Sequence, residues 1–289
     1  MNLTVVDSVA GMQALSEQLR LAGRSIGLVP TMGFFHEGHL ELMRAARRHA
    51  DTVVVSIFVN PTQFGAGEDL NAYPRDMEGD LGKADAEGVD HVFIPTAGDM
   101  YPEGFQTRVC VDDLTRFLCG PSRPGHFDGV ATVVTKLFLI TRPHLAVFGQ
   151  KDYQQLAVIS RMARDLNMDI QIIGVPTVRE PDGLAMSSRN SYLSPEERRA
   201  ARCLSASLAL AQDMVSAGEK EAAVVLKAVE QHIRQEPLAQ MDYARLCDPV
   251  TLEDLQDVKE ESLLALAVIV GKARLIDNRV LVRESPSSR

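Results

Sequence analysis

The 289-residue chain is short of basic charge, of cysteine and of long apolar runs. Each shortage removes a class of protein. Its 30 Lys and Arg stand against 39 Asp and Glu, a net charge of -9. A general nucleic-acid binder needs a basic surface to neutralise phosphates, so that class is excluded, although a local basic pocket for one nucleotide is not. The longest apolar run, Leu263 to Val270, has eight residues, whereas a membrane helix needs about 20. The opening Met1-Asn2-Leu3-Thr4 has no basic segment followed by an apolar one, so no secretory leader is expected. The four cysteines, Cys110, Cys119, Cys203 and Cys247, lack CxxC spacing. They read as reduced thiols of a cytoplasmic protein, not as a disulfide frame or a zinc site. Internal repeats and low-complexity stretches are also missing. With 45% hydrophobic and 24% charged residues the composition is that of an ordinary globular protein.

The length gives a prior of two domains at about 150 residues each. Residues 8–22 read as a helix, with Met12, Leu15 and Leu19 on one stripe. Ser25 to Val29 reads as a short buried strand ended by Pro30, which has no N–H for a ladder. A helix from about Gly38 to His49 and the β-branched run Thr52 to Val59 follow. A run apolar on both faces suits a parallel strand covered on both sides. His91–Ile94, Leu145–Phe148 and Ile170–Val175 are further strand candidates, separated in part by helical stretches near 129–141 and 152–167. This alternation predicts a doubly wound α/β domain with a parallel, Rossmann-like sheet over residues 1–178. Arg179-Glu180-Pro181-Asp182-Gly183 then reads as a linker. Ser194-Pro195-Glu196-Glu197 is a helix start, with Ser as N-cap, Pro first and Glu third. That helix can run to about Gly218, and a second fills roughly 219–234. Strand candidates follow at 241–247, 263–270, 273–277 and 280–283. Residues 179–289 are therefore expected to form a smaller α+β domain acting as a lid.

Four stretches carry chemistry. The first, Pro30-Thr31-Met32-Gly33-Phe34-Phe35-His36-Glu37-Gly38-His39, lies where a strand gives way to a helix. In open α/β sheets that edge is where ligands bind. Gly38 lets a ligand approach the backbone, and the helix start favours phosphate. His36 and His39, three apart, face one side and add donors that can follow charge on a phosphate. A bare HxxH is more often a pair of solvated histidines; the strand and the Pro-Thr-Met-Gly turn before it favour the phosphate reading. Gly33 to Gly38 has GxxxxG spacing but lacks the Lys-Ser/Thr of a P-loop. Gly65-Ala66-Gly67 starts a GxGxxG, but Leu70 stands in place of its last glycine.

The second stretch is Phe58-Val59-Asn60-Pro61-Thr62-Gln63-Phe64, whose Asn60 and Gln63 can fix hydroxyls or a carboxylate. An Asn-Pro turn without a ligand explains it equally well. The third is Phe148-Gly149-Gln150-Lys151-Asp152-Tyr153-Gln154-Gln155. Here Lys151 could meet phosphate, Asp152 a ribose hydroxyl or simply a helix N-terminus, and Gln155 the substrate. The fourth is Met186-Ser187-Ser188-Arg189-Asn190, two hydroxyls and a guanidinium that suit a second phosphate grip. Asp76 and Asp80 are the acidic candidates for Mg²⁺, with a solvated helix face the simpler account of Asp76. No Ser-His-Asp or Cys-His pairing stands out, so no covalent enzyme intermediate is expected.

Taken together, Pro30-Thr31-Met32-Gly33 with His36-x-x-His39, Asn60-Pro-x-Gln63-Phe64, Arg123-Pro-Gly-His-Phe127, Phe148-Gly-Gln-Lys-Asp152 and Met186-Ser-Ser-Arg-Asn190 resemble the pantoate–β-alanine ligase (pantothenate synthetase) family. The match is collinear over almost the whole chain. That family belongs to the nucleotidyltransferases that share HxGH with class I aminoacyl-tRNA synthetases, and Met186 to Arg189 stands at the place of their KMSKS loop. The resemblance implies synthesis of pantothenate, a step of coenzyme A biosynthesis, through a pantoyl adenylate. ATP would be a substrate and Mg²⁺ its metal. It implies that His36, His39, Lys151, Ser187 and Arg189 are catalytic, with His36 as acid and phosphate contact. It further implies ATP contacts from Met32, Gly33, Phe34, Phe35, His36, Glu37, Gly38, His39, Gly149, Gln150, Lys151, Asp152, Val178, Met186, Ser187, Ser188 and Arg189. Pantoate would lie against Gln63, Gln155 and Met32, β-alanine against Gln63, and Asp80 near the metal. Some members carry an Asp pair where this chain has Gly79-Asp80, which weakens the metal contact. Phe34-Phe35 is bulkier than the family's usual small-plus-aliphatic pair and reads as packing. A homodimer is expected, with neither nucleic acid nor membrane as partner. Two alternatives stand beside the ligase: a nucleotidyltransferase that stops after the first transfer, and a silent nucleotide-binding protein.

Overall fold

The computed structural model describes residues 3–65, 70 and 73–283. Ala66 and Gly67 of the incomplete glycine motif, and Met1-Asn2, lie outside the described residues. The chain divides into two compact units. The first takes the residues through Thr115, Cys119–Gln150 and Gln155–Pro176; the second takes Arg116–Leu118, Lys151–Gln154 and the chain from Thr177 onward.

In the first unit β1 (Thr4–Val6), β2 (Ile26–Thr31), β3 (Thr52–Ile57), β4 (His91–Phe93), β5 (Leu145–Gly149) and β6 (Gln171–Val175) form one sheet in the order β1-β4-β3-β2-β5-β6. Every pairing is parallel. Helices cover both faces, which explains why β3 is buried at all six positions, its polar Thr52 and Ser56 included. On one face Met12 of α1 (Val9–Leu21), Val130 and Phe138 of α5 (His126–Thr141) and Ile159 of α6 (Tyr153–Asp165) pack together. On the other, Met43, Ala45 and Ala46 of α2 (Glu37–His49) meet Ala84 of α3 (Met77–Ala86). The remaining short helix, α4, is Ala97–Met100. The doubly wound class expected from the sequence is thus present.

Strand order reverses at β2, whose neighbours are β3 on one side and β5 on the other. The crevice at the carboxyl ends of such a pair is where open α/β sheets take ligands. The chain leaving β2 is Met32–His39, and that leaving β5 begins at Gln150.

Two local expectations need correction here. β2 does not stop before Pro30: Pro30 lies opposite Ser56 of β3, and Thr31 opposite Ile57. Pairing with β5 involves Gly27 and Leu28 and ends short of Pro30, so the strand continues where one N–H fewer costs nothing. The three-residue β1 carried too little pattern to be read, yet it closes the sheet beside β4.

The second unit has a three-stranded antiparallel sheet in the order β7 (Ala239–Cys247), β8 (Glu261–Val270), β9 (Ala273–Val282). It packs with α8 (Cys203–Ser216) and α9 (Ala222–Arg234) through Leu204, Leu208, Val225, Val229, Leu264 and Leu266. The helix start at Ser194 forms as expected: its hydroxyl accepts the Glu197 N–H, and Glu197 returns to the Ser194 N–H. That helix, α7 (Pro195–Ala201), ends at Arg202, and α8 begins anew at Cys203 instead of one helix reaching Gly218. The expected pair of strands at 273–277 and 280–283 is one strand, β9. Asn278 and Arg279 lay in the expected gap, beside an Asp277 that is buried against Arg179. Cys203 and Cys247 are buried in this unit, and desolvation pushes their thiols up to about 11 and about 12.

Candidate active site

In the first unit the turn after β2 has an unusual backbone. Gly33 and Phe34 both have positive φ, 85° and 53°. For glycine that is free; for phenylalanine it is strained and needs support from its surroundings. Asp80 of α3 supplies the support. Its Oδ2 accepts the Phe34 N–H at 2.7 Å and its Oδ1 accepts the Phe35 N–H at 2.6 Å. One turn later on the same helix face, Lys83 Nζ donates to the Phe35 carbonyl at 2.8 Å. A Cβ on Gly33 would lie 3.0 Å from Asp80 Oδ2 and 3.1 Å from Ile57, so the turn also needs glycine for space.

The turn delivers His36 to the N-cap of α2. His36 Nδ1 accepts the Gly38 N–H at 3.2 Å, and His39 Nδ1 accepts the His36 N–H at 3.3 Å, a reciprocal cap made by two imidazoles. Their ring centroids are 4.2 Å apart. An Nδ1 that accepts cannot carry the proton, so each ring holds its proton on Nε2. The cap therefore sets two Nε2–H donors beside the positive end of α2. Histidines read as phosphate donors are also the residues that start the helix.

Gln63 is fixed just as closely. It ends a 3₁₀ turn, Pro61–Gln63, capped by Asn60. Asn60 is 1% exposed, and its Oδ1 accepts from the Tyr101 hydroxyl at 2.7 Å and the Thr62 hydroxyl at 2.9 Å. Its Nδ2 donates to the Gly129 carbonyl at 3.1 Å and to Gln63 Oε1 at 3.0 Å. With its oxygen engaged there, Gln63 turns its Nε2 toward Met32, 3.5 Å from the sulfur. That leaves an amide donor beside Met32, suited to a carboxylate or hydroxyl. The main chain at Gln63 is held as well, because His126 Nδ1 lies 2.8 Å from its carbonyl. A carbonyl only accepts, so Nδ1 is the donor, and Nε2 receives Arg123 at 2.9 Å. Gly129 of α5 lets the helix backbone touch this turn: a Cβ there would sit 2.5 Å from the Thr62 carbonyl oxygen. The half-buried Gln155 lies on α6.

In the second unit Lys151 and Asp152 belong to a 3₁₀ turn, Gln150–Asp152, whose first residue falls in the first unit. Lys151 Nζ is 3.9 Å from Asp152, and its side chain is 20% exposed. Met186 donates its N–H to the Val178 carbonyl at 2.9 Å. Ser187 caps the 3₁₀ helix Ser188–Tyr192 by accepting the Arg189 N–H at 3.3 Å. The loop before it is held by charge. Arg198 reaches Glu180 at 2.6 Å and Asp182 at 3.0 Å, and Asn190 Nδ2 donates to Glu180 at 2.8 Å. The Arg198 guanidinium, helped by Asn190, holds the Glu180 carboxyl below the usual range.

The acidic candidates fall out differently from the metal reading. Asp76 is the N-cap of α3 and accepts the Gly79 N–H at 3.1 Å. Asp80 is 2% exposed with both oxygens on the Phe34–Phe35 turn, so its place is inside the turn's support. Among the described residues no group of three His, Cys, Asp or Glu could hold a metal ion. Sequence reasoning missed the parts played by Asp80, Lys83, Tyr101 and Gly129. Of these only Gly129 left a signal, a glycine inside an otherwise helical run.

The comparisons with known proteins bear on this geometry. The family model described as pantoate-beta-alanine ligase matches residues 4–280. The chain belongs to the pantoate–β-alanine ligase family. It is 54% identical over 282 residues to the pantothenate synthetase of Syntrophus aciditrophicus, covering 98% of this chain and 99% of that protein. It is 56% identical to the one from Geobacter sulfurreducens, again over 282 residues, covering 98% and 100%. Among solved structures, pantothenate synthetase from Thermus thermophilus superposes with a TM-score of 0.91 at 46% identity, covering 96% of this chain and 99% of the other. The Francisella tularensis ligase, solved with Beta-gamma ATP and beta-alanine, superposes with a TM-score of 0.80 at 33% identity, covering 99% and 100%. The ligase is thus an ATP-dependent enzyme of pantothenate synthesis, and no helix among its described residues is long and apolar enough to cross a membrane.

Proposed function

We propose that the histidine cap of α2, Lys151 and the Ser187–Arg189 segment carry the adenylation step of this pantoate–β-alanine ligase, and that Gln63, Gln155 and Met32 hold pantoate. In that step a carboxylate oxygen of pantoate attacks the α-phosphorus of ATP, and the bond to the β-phosphate breaks, releasing pyrophosphate. The β-alanine amine then attacks the acyl carbon of pantoyl adenylate and AMP leaves, taking the former pantoate oxygen with it. Neither step needs a covalent bond to the protein. Both need positioning and hydrogen-bond donors where phosphate charge builds.

The observation that carries this reading is the reciprocal cap, which fixes both imidazoles as Nε2–H donors at a helix N-terminus. The same groups suit the family motif residue by residue, so His36 is read as the donor to the leaving phosphate and His39 as its companion. Glu37 and Gly38 of the cap, Gly149, Gln150, Asp152 and Val178 are read as further ATP contacts. The outward Nε2 of Gln63 suits pantoate's carboxylate or hydroxyl and, in the second step, β-alanine. Mg²⁺ is read as arriving on ATP, since Asp80 has its oxygens committed to the turn. A cytoplasmic homodimer is the form that family likeness suggests, and four cysteines outside any disulfide fit a reducing compartment.

Product analysis with MgATP and pantoate, with and without β-alanine, tests the reading. Pantothenate and AMP are expected to accumulate only when all three substrates are present. Labelled pyrophosphate is expected to exchange into ATP with pantoate alone. A ligase that released free pantoyl adenylate and turned over fully without β-alanine would point to a simple adenylyltransferase.

A further inference from the structure

Two neighbouring residues of β9 reach both phosphate-facing segments of the second unit. Successive side chains of a strand leave opposite faces. Asp277 leaves the face that also carries the buried Ala273, Leu275 and Leu281, with Arg279 its one exposed residue. It is 2% exposed and meets Arg179 bidentately, at 2.6 and 3.0 Å. Arg179 also donates to the Gly183 carbonyl at 3.2 Å and bridges to Ala185 across a tight loop. That loop leads straight into Met186–Arg189. Asn278 leaves the other face, and its Nδ2 donates to the main-chain carbonyl of Lys151 at 2.7 Å. The Asn278 N–H bonds Asp277 Oδ1 at 2.8 Å, tying the two together.

A buried charge on a largely apolar strand face is a poor device for stability alone, because a hydrophobic residue of similar size often serves as well or better. It makes sense as a device that specifies geometry. We propose that Asp277 and Asn278 are positioning residues: Asn278 sets the 3₁₀ turn from which Lys151 extends, and Asp277, through Arg179, sets the loop that presents Ser187 to Arg189. The proposal rests on the reading that Lys151 and Ser187 face ATP phosphates. Neither β9 residue touches substrate in this account, so each acts only through its partner segment.

A pair of double-mutant cycles on the full-length ligase tests it, read by pantoate-dependent pyrophosphate exchange and by thermal unfolding. Asn278→Ala is expected to lower kcat for exchange about ten-fold, the size of one lost hydrogen bond, with KM for pantoate unchanged. In a Lys151→Ala background the same substitution is expected to cost less than about two-fold, because coupled residues are not additive. Asp277→Asn is expected to behave alike, losing its effect in a Ser187→Ala background. A purely structural role would shift unfolding and reduce exchange by the same factor in both backgrounds, which overturns the proposal; so does full activity in Asn278→Ala. Should Asn278→Ala not fold, the isosteric Asn278→Asp removes the donor and runs the same cycle. If Lys151→Ala alone keeps full exchange, the assignment of Lys151 itself falls, an outcome visible before any β9 variant is made.

Discussion

Lys151→Ala and His36→Asn are each expected to reduce pantoate-dependent pyrophosphate exchange by about 10²–10³-fold, the usual loss when one donor to a developing oxyanion is removed. The choice of Asn at position 36 matters. His36 caps α2 through its Nδ1, and its Nε2–H is read as the phosphate donor. Alanine removes both and costs about 1 kcal/mol of helix capping besides. Asparagine is itself a preferred N-cap, so it keeps the acceptor while deleting the Nε2–H. His36→Asn should therefore fold with nearly unchanged stability and remain slow. Exchange assays beside thermal unfolding check this. Near-normal exchange in either variant contradicts the roles assigned to these donors.

The second large effect is expected at Asp80. Its carboxylate accepts the buried Phe35 N–H and the half-buried Phe34 N–H, and holds Phe34 in the left-handed region. Asp80→Ala strands both donors, and a buried, unpaired N–H costs about 1–3 kcal/mol, the half-buried one less. Unfolding free energy is expected to fall by about 2–5 kcal/mol, and exchange by at least about 10²-fold, because a small misplacement of catalytic groups is enough for that. The gentler Asp80→Asn turns an amide NH₂ toward one backbone N–H and should lose about half as much stability. A metal-ligand role makes the opposite forecast: little change in unfolding, and recovery of activity as Mg²⁺ is raised. Denaturant unfolding and an Mg²⁺ titration of both variants separate the two, and recovery by Mg²⁺ would contradict the support role.

These two sites mark where the sequence is legible and where it is not. The HxGH spacing, the Asn60–Gln63 pair and the Ser194 cap are local, so residue type and spacing are enough to read them. The parallel sheet follows from β-branched, largely apolar runs such as Thr52–Ile57, whose burial on both faces needs helices above and below. Asp80 is different: its partners are 45 and 46 residues away in the chain, and nothing near it announces a turn that needs two acceptors. Tyr101 is likewise 41 residues from Asn60. The break expected at Asn278–Arg279 does not occur, and one strand runs on past the buried Asp277. Its partner Arg179 is 98 residues away. Long-range polar pairing is what the sequence hides, and in this ligase it is what supports the groups read as catalytic.

The central claim is that pantoate is activated by adenylation and that the protein contributes positioning and donors without a covalent bond. Running the full reaction with pantoate labelled by ¹⁸O in its carboxylate tests this most directly. The account predicts one ¹⁸O atom in each AMP released, with pyrophosphate unlabelled. AMP free of ¹⁸O, or label appearing in a phosphate other than AMP, would contradict it.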